Sequence, residues 1–422
     1  MKNTMIENRK DAERVLLVIV EFKKGRAHWS VEEKIDEMKE LIRACGGEVI
    51  DKLICHVTKP TAGYLISEDR ANDIAGLCSA NNIDTVIFNH DLKGSQQRNL
   101  EDIIKTKTID RTQLILDIFA KHASSKEGKM QVELAQLEYL LPRLAGKGIE
   151  LSQLGGGIGT LGPGETKLEV DRRRIDQRVT KLKRDLKDVA SQRALKRKHR
   201  RDKGMPAISL VGYTNAGKST LLNTLTQAGQ VTRDGLFTTL DSLSRQLVLP
   251  NHQKVVVSDT VGFMHDLPHH LIESFHATLE EVQEADLLLH VLDVSHPHYR
   301  HLHESVEEVL KGLESFDKTT ILVLNKIDKL DDKEWLKGFQ KNFDHAICIS
   351  AKTGENILEL LDKISEMLSS LIVEIDIEIP IDRMDLVNLA HEEGEVLSVK
   401  YYAETINIRA AVPKRVVGRF YK

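Results

Sequence analysis

The chain has 422 residues, of which 41% are hydrophobic and 29% are charged, and its formal net charge is −4. This length suits roughly three domains of ordinary size, and the composition is that of a globular protein rather than a disordered one. No apolar run approaches the ~18 residues of a membrane span, and four scattered cysteines argue against a disulfide framework.

The first 110 residues alternate between strand and helix patterns. The apolar run at 15–22 predicts a buried strand, residues 31–45 follow a helical period, and 48–57 and 84–90 predict further strands. Such alternation is typical of a small α/β domain with a parallel sheet. We therefore predict an N-terminal α/β domain over 1–110.

Two helical patterns follow, on either side of a glycine-rich stretch at 154–166. The first predicts one long helix over 112–144, and the second repeats apolar residues from Ile175 onward at spacings of four and three. Two such apolar repeats predict an antiparallel helical hairpin over 111–204 with the glycine-rich stretch as its tip. Its polar end, 196–206, contains Gly-Met-Pro and predicts a linker.

The second helix is strongly basic. Residues 171–203 hold 15 Lys and Arg against 5 Asp and Glu, although the whole chain is acidic. Charge runs are usually solvated helix faces, but this excess favours contact with a polyanion.

Gly157, Gly159 and Gly162 spell G-x-G-x-x-G, which in other contexts binds dinucleotides. That function requires a preceding strand and an acidic residue within a βαβ unit, whereas apolar repeats at helical spacing flank this stretch. We predict instead that its backbone approaches RNA closely, because glycine leaves room for it. The candidate RNA-binding residues are Gly155, Gly156, Gly157, Gly159, Gly162, Gly164, Arg172, Arg173 and Arg174.

A doubly wound α/β domain is predicted over 205–370, and it begins with a second glycine-rich loop. This loop matches G-x-x-x-x-G-K-[ST], follows an apolar strand and opens a helix, as a phosphate-binding P-loop requires. Lys218 is expected to reach the β- and γ-phosphates as a catalytic residue, and Ser219 to ligate Mg²⁺. The nucleotide-binding residues here are Gly212, Tyr213, Thr214, Asn215, Ala216, Gly217, Lys218, Ser219 and Thr220.

A second motif, Asn325-Lys326-Ile327-Asp328, indicates which base is bound. A carboxylate at Asp328 can accept two hydrogen bonds from the N1 and N2 edge of guanine, whereas adenine would leave a buried carboxylate unpaired. Asn325 is expected to brace the loop and Lys326 to lie over the ring. Ser350, Ala351 and Lys352 form the companion loop, with the Ala351 amide facing guanine O6.

Two switch segments lie between these motifs. Asp259 is expected to hold Mg²⁺ through water, and the Gly262 amide to meet the γ-phosphate, which makes Gly262 a catalytic candidate. In the loop Phe237-Thr238-Thr239, Thr239 is the predicted catalytic residue and second hydroxyl ligand of Mg²⁺, with Thr238 as the alternative. All three loop residues are expected to contact the nucleotide.

Phe263 occupies the position at which Ras-like proteins carry a glutamine that orients the attacking water. A phenyl ring cannot do this, so we predict slow intrinsic hydrolysis and a partner that stimulates it. The remaining segment, 371–422, has a strand, a helix and a two-strand ending, and predicts a small C-terminal α+β domain.

The chain resembles the HflX family of GTPases over nearly its whole length. Beyond the nucleotide motifs, the resemblance is carried by sequence segments at 95–101, 109–144, 155–175, 236–241 and 259–263. The family usually carries arginine in the hairpin tip where Leu161 stands here, so one phosphate contact is expected to be missing.

The resemblance implies a Ras-like P-loop G domain and a GTP-hydrolysing factor that uses Mg²⁺ and forms GDP. It also implies binding to the large ribosomal subunit, contact with its RNA through the hairpin, splitting of stalled or idle ribosomes, and stimulation of hydrolysis by the ribosome. A GTPase acting in large-subunit assembly and a nucleotide-switched protein adaptor remain alternatives. The protein is expected to be a cytoplasmic monomer without a membrane span, with peripheral membrane association left open.

Overall fold

The computed structural model describes residues 12–23, 29–144, 167–202, 205–226, 243–264, 276–332, 334–340, 343, 345–369, 372–413 and 416–421. The chain divides into two compact units, Met1–Asp185 and Leu186–Lys422, and each is described by itself. The predicted mixed α/β fold with a P-loop G domain is confirmed.

The first unit contains a four-stranded parallel sheet with the strand order β2-β1-β3-β4. Six consecutive residues of its central strand, Val15 to Val20, are buried, because both faces of a parallel sheet are covered by helices. The elements are β1 (Glu13–Phe22), α1 (Val31–Ala44), β2 (Gly47–Val57), α2 (Glu68–Asn81), β3 (Thr85–Phe88), α3 (Gly94–Ile104) and β4 (Lys107–Ile109).

The prediction of one long helix over 112–144 was wrong. The structure has two helices, α4 (Arg111–His122) and α5 (Lys126–Leu144). Ala123 adopts an extended conformation after α4, and the hydroxyl of Ser125 accepts a hydrogen bond of 2.9 Å from the Gly128 amide. A serine in this position caps a helix N-terminus, so the local sequence favours a new start over continuation.

The basic segment forms one uninterrupted helix, α6 (Lys167–Asp202). The linker predicted at 196–206 is therefore helical as far as Asp202, because no glycine or proline occurs before Gly204. Two ion pairs join α5 to α6, Glu133–Arg178 and Glu138–Lys183. Residues five apart lie about 140° apart around a helix, so the two ion pairs flank the contact between α5 and α6 on its two sides. Pairing in this order requires the partner helix to turn in the opposite sense, as an antiparallel helix does, which agrees with the predicted hairpin.

The second unit contains the G domain, a six-stranded sheet with the order β10-β9-β8-β5-β7-β6, in which β6 alone runs antiparallel to its neighbour. Its elements are β5 (Ala207–Val211), α7 (Lys218–Thr226), β6 (Leu243–Val248), β7 (Lys254–Asp259), α8 (His276–Gln283), β8 (Leu287–Asp293), α9 (Tyr299–Gly312), β9 (Thr320–Asn325), α10 (Glu334–Gln340), β10 (Ala346–Cys348) and α11 (Ile357–Leu368). Crossovers between parallel strands place the loops that follow β5, β7, β8 and β9 at one edge of the sheet, where α/β domains bind ligands.

A three-stranded antiparallel sheet with the order β11-β13-β12 ends the chain. It comprises β11 (Ile372–Pro380), α12 (Met384–Glu393), β12 (Glu395–Tyr401), β13 (Thr405–Pro413) and α13 (Val417–Phe420), in agreement with the predicted small α+β domain. Alternate residues of β13, from Ile406 to Val412, are buried with β11 and α12 in one apolar cluster. Within the described ranges, no helix combines the length and apolar character needed to cross a membrane.

Candidate functional site

The P-loop turns tightly between β5 and α7. Asn215 adopts a left-handed conformation with φ of 60°, and Gly217 does so with φ of 95°. A Cβ atom at Gly217 would overlap the side-chain amide nitrogen of Asn325, so only glycine suits this position. The loop therefore delivers its backbone amides and the N-terminus of α7 to one place, an arrangement that attracts anions.

Lys218, the first residue of α7, is 6% exposed and folds back over the loop. Its Nζ donates to the carbonyl oxygens of Gly212 at 3.0 Å and Tyr213 at 2.8 Å. Burial lowers the pKa of Lys218 to about 8, and the nearby Asp259 carboxylate acts in the opposite direction. The ammonium group lies in a poorly solvated position where phosphate oxygens are favourable partners.

Ser219, in the first turn of α7, lies beside Asp259, the last residue of β7. The Ser219 hydroxyl donates to Asp259 Oδ2 at 2.6 Å, and Asp259 is 1% exposed at the end of β7. A hydroxyl and a carboxylate are hard oxygen donors of the kind that Mg²⁺ prefers. Two of the three residues predicted from the sequence as metal ligands, Ser219 and Asp259, therefore form a donor set that fits this ion, and the third, Thr239, lies outside the described residues.

The segment after β7 is attached to the P-loop through its backbone. The Thr214 amide donates to the Phe263 carbonyl at 3.0 Å, and the Phe263 amide donates to the Gly212 carbonyl at 3.0 Å. The side chain of Phe263 is 2% exposed. It packs in the interior, and a phenyl ring offers no hydrogen-bonding group to a water molecule.

Asn325 connects three loops of the site. Its side-chain nitrogen donates to the Ala216 carbonyl at 2.8 Å, and its oxygen accepts from the Ala351 amide at 2.9 Å. The residue is 2% exposed, so these hydrogen bonds are shielded from water. Asn325 thus fixes the phosphate loop and the companion loop relative to each other, which is the bracing role expected from the sequence.

The Asp328 carboxylate accepts a hydrogen bond of 2.6 Å from the hydroxyl of Ser350. The side chain is exposed, whereas rejection of ATP by an unpaired carboxylate requires that the carboxylate be buried. Discrimination against adenine therefore depends on the bound base covering this carboxylate, and it stays a prediction. Lys352 is also exposed, and Thr220 is half-buried on α7.

Sequence reasoning missed Asp293, at the end of β8. Its carboxylate forms an ion pair of 2.7 Å with Lys326, whose Nζ also donates to the Asn215 carbonyl at 2.7 Å. A second missed residue is Thr224, which donates to the Ala351 carbonyl at 2.7 Å. The position of Asp293 at the carboxyl end of a buried parallel strand was the signal that could have identified it.

The basic helix α6 presents Arg172, Arg173 and Arg174 as exposed side chains. Near its other end the cationic side chains are engaged by acidic residues of α8. Arg197 lies 3.1 Å from Glu280 and 3.7 Å from Glu281, and Arg193 lies 3.5 Å from Glu280. All four side chains are no more than 21% exposed, which distinguishes this cluster from ordinary surface ion pairs.

Four family models match consecutive parts of the chain. Residues 32–120 match the GTP-binding GTPase N-terminal model, 122–200 the GTP-binding GTPase Middle Region, 207–326 the 50S ribosome-binding GTPase and 337–404 the HflX C-terminal domain. GTPase HflX of Caldanaerobacter subterraneus subsp. tengcongensis is 43% identical over 98% of this chain and 94% of its own length. The chain belongs to the HflX family of GTPases.

Other HflX relatives give the same result. GTPase HflX of Escherichia coli K12 is 40% identical over 82% of each chain. Among solved structures, a GTP-binding protein from Sulfolobus solfataricus in complex with GDP is 25% identical, covers 85% of this chain and 99% of its own, and has a TM-score of 0.44. Membership of the HflX family makes this chain a GTP hydrolase that binds GTP and GDP.

Some sites predicted from the sequence lie outside the described residues. They are the hairpin tip with Leu161 and the switch loop before β6, namely Gly155, Gly156, Gly157, Gly159, Gly162, Gly164, Phe237, Thr238 and Thr239. The remaining predicted nucleotide residues, between Gly212 and Lys352, lie at one edge of the G-domain sheet, on its loops, at the strand ends that lead into them or in the first turn of α7.

Proposed function

We propose that this HflX GTPase is a ribosome factor that engages the large subunit and splits stalled or idle ribosomes, with its hydrolysis of GTP stimulated by the ribosome. The observation that carries the proposal is the combination of a guanine-nucleotide site with a long basic helix whose arginines at 172–174 are exposed. The matched description, 50S ribosome-binding GTPase, supports the choice of subunit.

In the nucleotide site, Lys218 neutralises the β- and γ-phosphates and the P-loop amides bind their oxygens. Asp328 accepts hydrogen bonds from the guanine N1 and N2 groups, and Asn325 holds the loops around the base. Ser219 and Asp259, together with Thr239 from the switch loop, are the residues that would hold Mg²⁺. That ion supplies charge stabilisation to the phosphates when bound.

The burial of Phe263 supports a slow intrinsic rate, since no hydrogen-bonding side chain at this position orients a water molecule. The ribosome would then supply or reshape the missing group. Steady-state hydrolysis by the isolated protein and by the protein with large subunits tests this point. Turnover of the order of 1 s⁻¹ by the isolated protein would contradict it, because that rate belongs to partner-activated GTPases.

Binding to ribosomal RNA would use the exposed arginines of α6 and the glycine-rich tip. Reversal of charge at Arg172, Arg173 and Arg174 should weaken ribosome binding and leave GTP binding intact. The affinity should also depend less steeply on salt concentration, because about three fewer counterions are released on binding. A control triple reversal at exposed Lys59, Lys105 and Lys400 should leave both unchanged. Retained ribosome binding in the arginine variant would place the RNA contact elsewhere.

Gradient sedimentation with a non-hydrolysable GTP analogue, beside a GDP lane, tests the main alternatives. Co-migration with large subunits in the GTP-analogue lane supports a ribosome factor, whereas protein that stays at the top supports the protein adaptor. Splitting is separated from subunit assembly by adding the protein and GTP to intact ribosomes, because only a splitting factor increases free subunits. We also propose that the protein acts as a cytoplasmic monomer. Analytical ultracentrifugation of the full chain would measure its mass in solution and so test whether it is a monomer.

A further inference from the structure

Thr214, the third residue of the P-loop, carries a hydroxyl for which the loop itself provides no partner. The residue is 6% exposed, and its backbone amide donates to the Phe263 carbonyl. Its Oγ1 atom is buried and makes no hydrogen bond within the part of the chain that the structure describes. Since a shielded hydroxyl without a partner destabilises a fold, this group points to a ligand atom.

The surroundings of Thr214 indicate which ligand atom is concerned. A Cβ atom built on Gly262 would lie 2.8 Å from both the Cα and the Cγ2 atoms of Thr214, and 3.1 Å from Lys218 Nζ. Thr214, Gly262 and the Lys218 ammonium therefore meet at one point of the site. The P-loop lysine is the group that cradles the β- and γ-phosphates, so Thr214 lies at the phosphate end of the nucleotide rather than at its base.

The neighbouring residue Phe263 cannot bind the terminal phosphate through its side chain, because it is a hydrocarbon ring and is buried. The Thr214 side chain, whose Cγ2 atom lies beside Gly262, carries a polar group on the P-loop at this end of the site. A hydroxyl donates readily to an anionic oxygen, and such charge-assisted hydrogen bonds are stronger than neutral ones.

We propose that the Thr214 hydroxyl donates a hydrogen bond to a γ-phosphate oxygen of GTP and thereby determines the preference for GTP over GDP. GDP lacks this oxygen, so the hydrogen bond forms with the triphosphate alone. The inference rests on the proposed guanine-nucleotide site and adds a specificity-determining residue to it.

The test compares Thr214→Val, which keeps the shape and removes the hydroxyl, with Thr214→Ser, which keeps the hydroxyl. Affinities for GDP and for a non-hydrolysable GTP analogue are measured by calorimetry on the full chain with Mg²⁺. Thr214→Val should lose about tenfold in affinity for the GTP analogue, the size expected for a hydrogen bond to a charged group, and keep its affinity for GDP. Thr214→Ser should retain the wild-type preference.

Ser209 provides a matched control, since it is a buried hydroxyl on β5 that also lacks a partner among the described residues. Ser209→Ala should leave the ratio of the two affinities unchanged. The proposal is overturned if Thr214→Val retains the wild-type ratio, or if it loses affinity for both nucleotides equally. Failure of the wild-type protein to bind GDP would instead refute the underlying nucleotide site.

Discussion

Nucleotide binding should be linked to protonation of Lys218. Burial lowers the pKa of this lysine from 10.5 to about 8, which corresponds to a penalty of roughly 3 kcal/mol on the charged form at about 1.4 kcal/mol per pKa unit. Bound phosphates place negative charge beside the ammonium and raise its pKa again. The bound phosphates thus offset much of the free-energy cost of charging the buried Lys218. They therefore bind preferentially to the protein in which Lys218 is protonated.

The expected result follows from the fraction of Lys218 that is neutral before binding. With a pKa of about 8, roughly half of the free protein is neutral at about pH 8 and about a tenth at pH 7. GDP binding should therefore take up about half a proton at pH 8 and little at pH 7. Above pH 8 the affinity should fall by up to about tenfold per pH unit, until the pKa of the bound state is reached.

Calorimetry of GDP binding in two buffers that differ in ionisation enthalpy measures this proton uptake directly. The range from about pH 7 to about pH 8.5 keeps the phosphates ionised, since the second pKa of a phosphomonoester is near 6. Lys218→Met should abolish the proton uptake at any affinity that remains. Zero uptake at pH 8 in the wild type, or an affinity that stays flat across the range, would refute the reasoning.

The lowered pKa of Lys218 should weaken nucleotide binding as the pH rises, but it should make the free protein more stable in the same direction. The unfolded chain, with a lysine pKa near 10.4, binds more protons than the folded chain between about pH 8 and pH 10.4. The contribution of Lys218 to the free energy of unfolding should therefore rise with pH across this window. Below about pH 8 both states hold the proton and the contribution no longer changes.

Three further predictions concern the G domain. Asp328→Asn should shift the preferred nucleotide from GTP toward xanthosine triphosphate, because an amide can donate to the oxygen at C2; unchanged base preference in a competition assay would contradict this role. Gly217→Ala should weaken GDP binding by at least about tenfold and lower the melting temperature, because its Cβ overlaps Asn325. Gly312→Ala, where the added Cβ meets open space, is the control and should leave both unchanged. His290 is buried in β8 and burial holds its pKa well below 6.5, so the unfolded chain binds the extra proton and stability should fall as the pH drops below about 6.5; denaturant unfolding at several pH values should show a smaller fall for His290→Leu.

The nucleotide loops could be predicted from the sequence because each motif is local and its residues act through backbone geometry. The order of strand, loop and helix around Gly212–Ser219 left little choice of fold. The pairing of Asp293 with Lys326 could not be predicted in the same way, because it depends on which strands are neighbours in the sheet. A lone aspartate after an apolar run has many possible partners until β8 and β9 are known to lie side by side.

The errors in the helical region have a different physical origin. The single helix predicted over 112–144 passes through Ala123, Ser124 and Ser125, but the serine cap there stabilises a helix start more than a continued turn. At 196–202 the opposite happened, because a polar sequence without glycine or proline was interpreted as a linker. Composition predicts exposure, whereas helix termination depends on capping and on residues that break the backbone pattern.

The unbroken course of α6 also restricts how its length can change in evolution. Arg193 and Arg197 are four residues apart, so they share one face of the helix and both reach Glu280. An insertion of one residue between them would rotate Arg197 by about 100° relative to Arg193, and the two arginines could no longer reach the same carboxylate. Related chains should therefore tolerate substitutions between these two positions far better than changes in length.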